Sequence, residues 1–220
     1  MTGVDIVLSG AGLVARGSGA LFWPDRRLLV VADLHLGRSE RLARSGGALL
    51  PPYEGRETLA RLEAEIRATE PAVVICLGDS FDDLAAEAAL PETEALWLTR
   101  LMAGRRWLWI AGNHDPGPLT LPGEHRAAFE LGPLIFRHQA SPGATGEVSA
   151  HYHPKHRLGL GGRGYWRPCF LVDHARLILP AFGAYTGGMR AADPVLRALM
   201  GPTARAILTG TPPLCVPMQR

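Results

Sequence analysis

The sequence predicts an α/β fold of two packed β-sheets with helices on their outer faces. Continuous apolar runs of strand length, "VVICL" and "RWLWI" among them, alternate with helical patterns through the first half. In the second half, short strand-like segments follow one another with few helices between. Such a pattern suits sheets that pack on each other and carry helices outside. The chain has 220 residues, 47% hydrophobic and 20% charged, which is enough for one well-cored globular unit. A single domain spanning residues 1–220 is therefore expected.

The elements follow in order. "VDIVL", "ALFW" and "RRLLVVAD" read as short strands separated by Gly-rich turns. After His35, "LGRSERLARSGGALLPPY" reads as a short helix and then a loop. From Tyr53 to Glu70, Leu59, Leu62 and Ile66 recur at helical spacing and predict a surface helix. "PAVVICLGD" is a strand buried on both faces, because nothing in it alternates. A helix around Pro91 to Ala103 precedes the strand "RRWLWIAGN", with Pro91 suited to the helix's first turn. "GPLIFRH", "EVSAHYH", "CFLVD" and "RLILPAFG" are further strands. A helix near Pro194 to Met200 and the strand "ARAILTG" close the pattern.

Net charge excludes a globally basic nucleic-acid binder. The formal charge is only +2, so any polyanion would have to be met by local Arg clusters. Lys155 is the sole lysine, a bias that fits genome composition as well as phosphate contact. Cys76, Cys169 and Cys215 lie far apart and form no CxxC, so they read as small core residues in a reducing compartment. No apolar run approaches membrane-spanning length, and the N-terminus lacks a signal-peptide pattern. A soluble cytoplasmic protein without membrane partners is expected.

Polar groups recur where strands end. "LLVVADLH" ends in Asp33 and His35, "VVICLGD" in Asp79, and "WLWIAGNHD" in Asn113, His114 and Asp115. Taken alone, Gly112-Asn113-His114-Asp115 reads as a turn. Three such endings are harder to explain that way, because ligands gather at the carboxyl ends of strands in open α/β sheets. His138 stands at another strand end, and His151 and His153 form a His-x-His pair. Asp33, His35, Asp79, Asn113, His138, His151 and His153 offer seven N/O ligands and no thiolate. That is too many for one tetrahedral zinc and suits two adjacent cations sharing a carboxylate, an arrangement used to hydrolyse phosphate esters.

The ordered set "DLH", "GDSFD", "GNHD", a later His and "HYH" resembles the calcineurin-like metallophosphoesterases. Wider stretches, "ADLHLGR", "LLPPYE", "CLGDSFDD", "GNHDPG", "RPCF" and "LPAFGAYTGG", resemble a branch of that family, the ligase-associated DNA damage response endonucleases. The resemblance runs from about Leu28 to Gly188. It implies the four-layer metallophosphoesterase sandwich, two mixed sheets flanked by helices with the dimetal site at strand C-terminal ends. It further implies one metal on Asp33, His35, Asp79 and His153, and a second on Asp79, Asn113, His138 and His151, with Asp79 shared. His114 is implied to stabilise the phosphate or protonate the leaving oxygen, and Asp82 to orient a neighbouring ligand. Two departures stand out. Ala150 replaces the glycine usual before the last His-x-His, and Asp82 stands where the branch often carries His.

The implied reaction is phosphodiester hydrolysis by a hydroxide shared between two divalent cations, of which the family likeness favours Mn²⁺ over Fe²⁺ or Zn²⁺. The implied substrate is single-stranded DNA in DNA repair, with ligase, helicase or exonuclease proteins as partners. The alternative on the same fold is a phosphatase or small-molecule phosphodiesterase acting on a nucleotide-lipid or cyclic nucleotide. A metal-free scaffold is disfavoured because every ligand position is filled.

Substrate contacts are less defined by the sequence. Arg38, Arg41 and Arg44 follow the first ligands and suit either a phosphodiester backbone or a solvated helix face. His156 suits substrate contact or support of a ligand. Tyr152 and Trp166 could stack bases, whereas Trp109 sits in a strand and reads as core. "GLGGRGYW" reads as a flexible loop that shapes access or merely connects, and "PAFGAYTGG" as support for the site's loops. His125 and His174 read as surface or turn residues.

Overall fold

Two β-sheets face each other, and the two-residue period of their strands sends alternate side chains into different cores. The computed structural model describes residues 3–44, 46, 53–161 and 163–219. The first sheet runs β1 (Gly3–Leu8), β2 (Ala11–Arg16), β3 (Leu21–Trp23), β4 (Leu28–Val31), β5 (Val73–Leu77), β6 (Arg106–Ile110) and β7 (Glu124–Arg126) in spatial order. Its first four strands form an antiparallel meander, and β4 to β7 are parallel.

The second sheet is built from β8 (Ala128–Leu131), β9 (Leu134–Arg137), β10 (Glu147–Ser149), β11 (Lys155–Leu160), β12 (Arg163–Val172), β13 (Arg176–Ile178), β14 (Arg205–Leu208) and β15 (Leu214–Pro217). Their order is β15-β14-β12-β13-β10-β9-β8, with β11 paired to β12 alone. Parallel and antiparallel pairs are mixed in it.

Leu28, Val30, Ile75, Leu77, Leu108 and Ile110 point into the space between the sheets, where Phe136, Val148, Phe170, Leu177 and Ile207 of the second sheet meet them. The intervening Leu29, Val31, Val74, Cys76, Trp107 and Trp109 point the other way. They pack under α2 (Glu54–Thr69) and α4 (Glu92–Met102) through Leu59, Leu62, Ile66, Leu98 and Leu101. On the far side of the second sheet, Leu171, Ile178 and Leu208 pack against Leu196 of α5 (Pro194–Leu199) and against Met200. The result is the expected four-layer sandwich. It explains why "VVICL" and "RWLWI" show no alternation, since both faces of these strands are buried. Trp109 is core, its indole N–H donating to the Pro122 carbonyl at 2.9 Å.

Helix ends follow capping chemistry. Asp193 accepts from the Val195 amide and Pro194 fills the first position of α5. Pro91 stands at the N-cap of α4 rather than inside its first turn. All three cysteines are free, and burial raises the thiol pKa of Cys76 and Cys169, leaving both unreactive. Among the described residues, no helix is long and apolar enough to cross a membrane.

Several elements differ from the sequence reading. The short helix expected after His35 is α1 (Arg38–Arg44), whereas the strands β2, β7, β8, β11 and β15 and the short helix α3 (Leu84–Ala88) have no counterpart in that pattern. β7 ("EHR") is a three-residue polar edge strand without a pattern to read. The described residues of the segment Gly159 to Trp166, expected to be a loop, belong to the antiparallel hairpin of β11 and β12. Its glycines hide strand propensity that the hairpin pairing supplies. His125 lies within β7, whereas His174 is exposed between β12 and β13. Residues 47–52, including part of "LLPPYE", lie outside the described residues.

Phe136 is fully buried between the sheets, so replacing it with Ala leaves a cavity that both sheets must share. Phe136→Ala is expected to lower unfolding free energy by about 3–5 kcal/mol in urea titration. A loss near zero would place this residue outside the core.

Candidate metal centre

The tails of β4, β5 and β6 do not diverge after their strands end. Asp33, His35 and Leu36 donate their amides to Gly78, Asp79 and Ser80 carbonyls at 3.0–3.1 Å, continuing the sheet's pairing into the loops. Phe182 and Gly183 then donate to Ala32 and Asp33 carbonyls at 2.8 and 3.1 Å, closing the other side. A Cβ on Gly183 would overlap the Leu34 carbonyl, so only glycine allows that approach. The "PAFGAYTGG" segment thus supports the loops as expected.

Asp115 fixes the third tail. Its buried carboxylate accepts the amides of Asp79 (2.9 Å), Ser80 (2.6 Å), Phe81 (3.1 Å) and Gly112 (3.1 Å). Burial pushes this carboxyl up to about 6, with the Asp79 charge adding to the rise and the Phe81, Ser80 and Gly112 amides opposing it.

The backbone at this site is unusual. Asp33 (φ 50°), His35 (47°), Asp79 (46°), His151 (72°) and His153 (45°) are all left-handed, five of the nine non-glycine residues so placed among those described. Each such residue costs about 1–2 kcal/mol, and such strain collects at functional sites. Ala150 keeps an ordinary φ and is fully buried, so the departure from glycine is accommodated without strain. His151 and His153 take up the left-handed turns instead.

The side chains converge in three groups, one of them made by His35, Asp82 and His114. Asp33, His35 and His153 form a second, and Asp79, His138 and His151 a third, with the candidate ligand atoms of each within 4.8 Å of one another. In the Asp33 group, His153 Nε2 lies 3.4 Å from both His35 Nε2 and Asp33 Oδ1. In the Asp79 group, His138 Nε2 lies 3.0 Å from Asn113 Oδ1, 3.1 Å from His151 Nδ1 and 3.3 Å from Asp79 Oδ2. Nδ1–H of His138 donates to the Leu77 carbonyl at 3.0 Å, which leaves the lone pair of the neutral ring on Nε2.

Asp82 stands behind the Asp33 group. Its Oδ1 lies 2.8 Å from His35 Nδ1, which aims His35 Nε2 toward His153. Arg38 (3.3 Å) and Arg41 also pair with Asp82. Burial raises the Asp82 pKa, but His35 and Arg41 outweigh it and bring the carboxyl down to about 2. Asp79 likewise ends at about 2, burial being outweighed by His138, the His114 amide and the charge of His35. His138 is raised, since Asp79 and Asp33 overcome its burial, whereas burial and the His138 charge lower His151.

His114 clusters with His35 and Asp82 and lies beside the other two groups. Its amide donates to Asp79 Oδ1 at 2.9 Å, and its Nδ1–H donates to the Asp82 carbonyl at 2.8 Å. His35, Arg38, Arg41, Asp79, Asn113, His114, His151, His153 and Gly187 line one open depression. Arg44 points elsewhere, to Asp83 at 2.9 Å, and His156 is buried in the β11–β12 hairpin with Nδ1 3.0 Å from the Arg157 carbonyl.

These residues fit cations. Asp33 Oδ1 is buried and, among the described residues, has no hydrogen-bond partner. Imidazole nitrogens facing one another without protons between them repel unless a positive ion intervenes. Oxygen and imidazole donors without thiolate suit Mn²⁺, Fe²⁺ or Zn²⁺.

Two mixed sheets in four layers, with paired O/N ligand groups at their strand ends, define a metal-dependent phosphoesterase. The chain belongs to the calcineurin-like phosphoesterase family, whose sequence model matches residues 26–173. It is a hydrolase of phosphoester bonds, and its family carries a dinuclear metal site. The crystal structure of Pseudomonas putida nuclease MPE resembles it over 97% of this chain and 100% of that one, with 29% identity and a TM-score of 0.75. A search of curated proteins returned no match.

Removing the Asp115 carboxylate orphans four amides that hold the β5 and β6 tails together. Asp115→Ala is expected to destabilise the fold by about 3 kcal/mol or more and to weaken metal uptake as well. Thermal unfolding with and without added Mn²⁺ measures both effects; wild-type behaviour in both would sink the assignment.

Proposed function

We propose that the chain is a Mn²⁺-dependent endonuclease that cuts single-stranded DNA in repair. The observation carrying this reading is the clustering of O and N donors around one depression, lined by His35, Asp79, Asn113, His151 and His153, in a chain 29% identical to a protein named as a nuclease. The repair role, with ligase, helicase or exonuclease partners, rests on the sequence resemblance.

In this reading Asp33, His35, Asp79 and His153 hold one cation, and Asp79, Asn113, His138 and His151 the other, with Asp79 shared. Bound there, two divalent cations supply an activated water and neutralise charge on the phosphate. Asp82 keeps His35 in the tautomer that presents Nε2, and the Leu77 carbonyl does the same for His138. His114 has Nδ1–H committed to the Asp82 carbonyl, so proton exchange falls to Nε2. Protonated there, it gives its proton to the leaving oxygen, the work of a general acid. Arg38 and Arg41 line the depression while paired with Asp82, which leaves guanidinium edges for the phosphate.

The test is nicking of circular single-stranded DNA with Mn²⁺ or EDTA. Wild type is expected to linearise circles only with metal, Asn113→Ala to lose at least about 100-fold, and His114→Ala about 10²–10⁴-fold. Intact circles alongside hydrolysis of a small diester or monoester would keep the metal chemistry and overturn the DNA assignment. Asp82→Ala is expected to weaken Mn²⁺ binding by about 10–100-fold in calorimetric titration, because His35 loses its orienting partner. Unchanged Mn²⁺ affinity would remove Asp82 from this role.

A further inference from the structure

The β11–β12 hairpin carries more charge and exposed aromatic surface than a sheet edge needs. Its sequence from Lys155 to Pro168, "KHRLGLGGRGYWRP", holds Lys155, Arg157, Arg163 and Arg167 and no Asp or Glu, in a chain of net charge +2. Among the described residues, Arg157, Arg163 and Arg190 enter no ion pair. Local positive charge without acidic partners is what a polyanion requires of an otherwise near-neutral chain.

The register sorts the hairpin's two faces. Arg157 opposes Trp166, and Lys155 opposes Pro168, so these share one face. Leu158 opposes Tyr165 on the other, and Leu158 packs against the core beneath the second sheet. On the outer face Trp166 is 44% exposed, an unusual state for so large an apolar ring. The Arg190 guanidinium lies 5.2 Å from the Trp166 ring centroid. A Cβ on Gly164 would collide with the Arg157 guanidinium, so that glycine leaves the guanidinium room on the face that carries Trp166.

This face leads to the metal depression. Lys155 Nζ donates to the Thr186 carbonyl at 3.1 Å, and its methylenes crowd Gly188, which also abuts the His153 carbonyl. Gly187, next in line, is part of the depression's wall.

We propose that this face is a track for single-stranded nucleic acid, Trp166 stacking a base while Arg157 and Arg190 meet flanking phosphates. The proposal rests on the nuclease reading above and adds where the strand lies. Aromatic platforms flanked by cations bind single strands without regard to sequence. A small diester needs only the depression; a polynucleotide reaches the hairpin as well.

The experiment measures binding of a fluorescein-labelled oligothymidylate in EDTA by anisotropy, alongside Mn²⁺-dependent hydrolysis of bis(p-nitrophenyl) phosphate. Trp166→Ala is expected to raise Kd for the oligonucleotide roughly tenfold or more, with Trp166→Phe retaining most of the affinity. Arg157→Ala and Arg190→Ala should each lower the slope of log Kd against log salt by about 0.7. Small-diester hydrolysis should persist in all four variants. If wild type nicks DNA and Trp166→Ala binds the oligonucleotide as tightly, the track is overturned and the nuclease reading stands. If wild type hydrolyses the small diester but neither binds nor cuts DNA, both readings fall. Loss of small-diester hydrolysis along with binding in Trp166→Ala would make the residue structural and overturn the track. So would unchanged oligonucleotide binding with altered self-association or vesicle binding.

Discussion

The site depends on strand tails that stay together after their strands have ended. Main-chain pairing beyond β4 and β5 keeps Asp33 and His35 in register with Asp79, and the Asp115 carboxylate clamps the β5 tail to the Gly112 turn. A carboxylate that accepts four amides in a buried place gives up much of its hydration, which is why its pKa rises instead of falling. Its return is positional. Asp79 and Asn113 are delivered from adjacent parallel strands to the same side of the depression. The left-handed residues then become intelligible, because turning several side chains inward from extended tails within a few residues needs backbone angles that strands do not use.

Electrostatics work in the same direction. The carboxylates of Asp33, Asp79 and Asp82 stand within reach of three imidazoles and two guanidiniums, yet Asp33 Oδ1 has no hydrogen-bond partner among the described residues. Arg38 and Arg41 go to Asp82, behind His35, and not to the facing ligand atoms. Positive side chains are therefore held at the rim while the centre keeps its negative charge. Such a division favours a small multivalent cation at the centre over a permanent ion pair, which would fill the ligand positions.

The sequence shows the candidate ligand residues more clearly than the backbone that carries them. Asp33, His35, Asp79, Asn113, His138, His151 and His153 are legible as candidates because side chains able to bind metal stand at the ends of apolar runs, a pattern that chemistry constrains. The two-faced burial of β5 and β6 was legible for a similar reason. Asp115 was legible only as a turn residue, since four amide acceptances leave no trace in spacing. The left-handed angles were invisible too, because Asp and His carry no mark of them as glycine does. Ala150 illustrates the converse. Glycine is usual at its position, but the left-handed turn falls one residue later, at His151. The β11–β12 hairpin was missed because Gly159, Gly161 and Gly164 dilute its strand signal, and its pairing comes from the partner strand.

Those glycines also separate the two halves of the molecule's work. Around the metal depression, glycines at 78, 112 and 183 admit atoms that any Cβ would displace, so precision is bought with rigidity. In the hairpin, Gly159 faces open space and Gly164 makes room only for a long, exposed guanidinium. A ribbon of this kind lies outside the packed cores except through Leu158 and His156, and it holds Trp166 and Arg157 away from the sheet. Close approach is needed where atoms must meet within a few tenths of an ångström. A surface that follows a flexible chain needs charge and flat area instead, and the two kinds of glycine divide along that line.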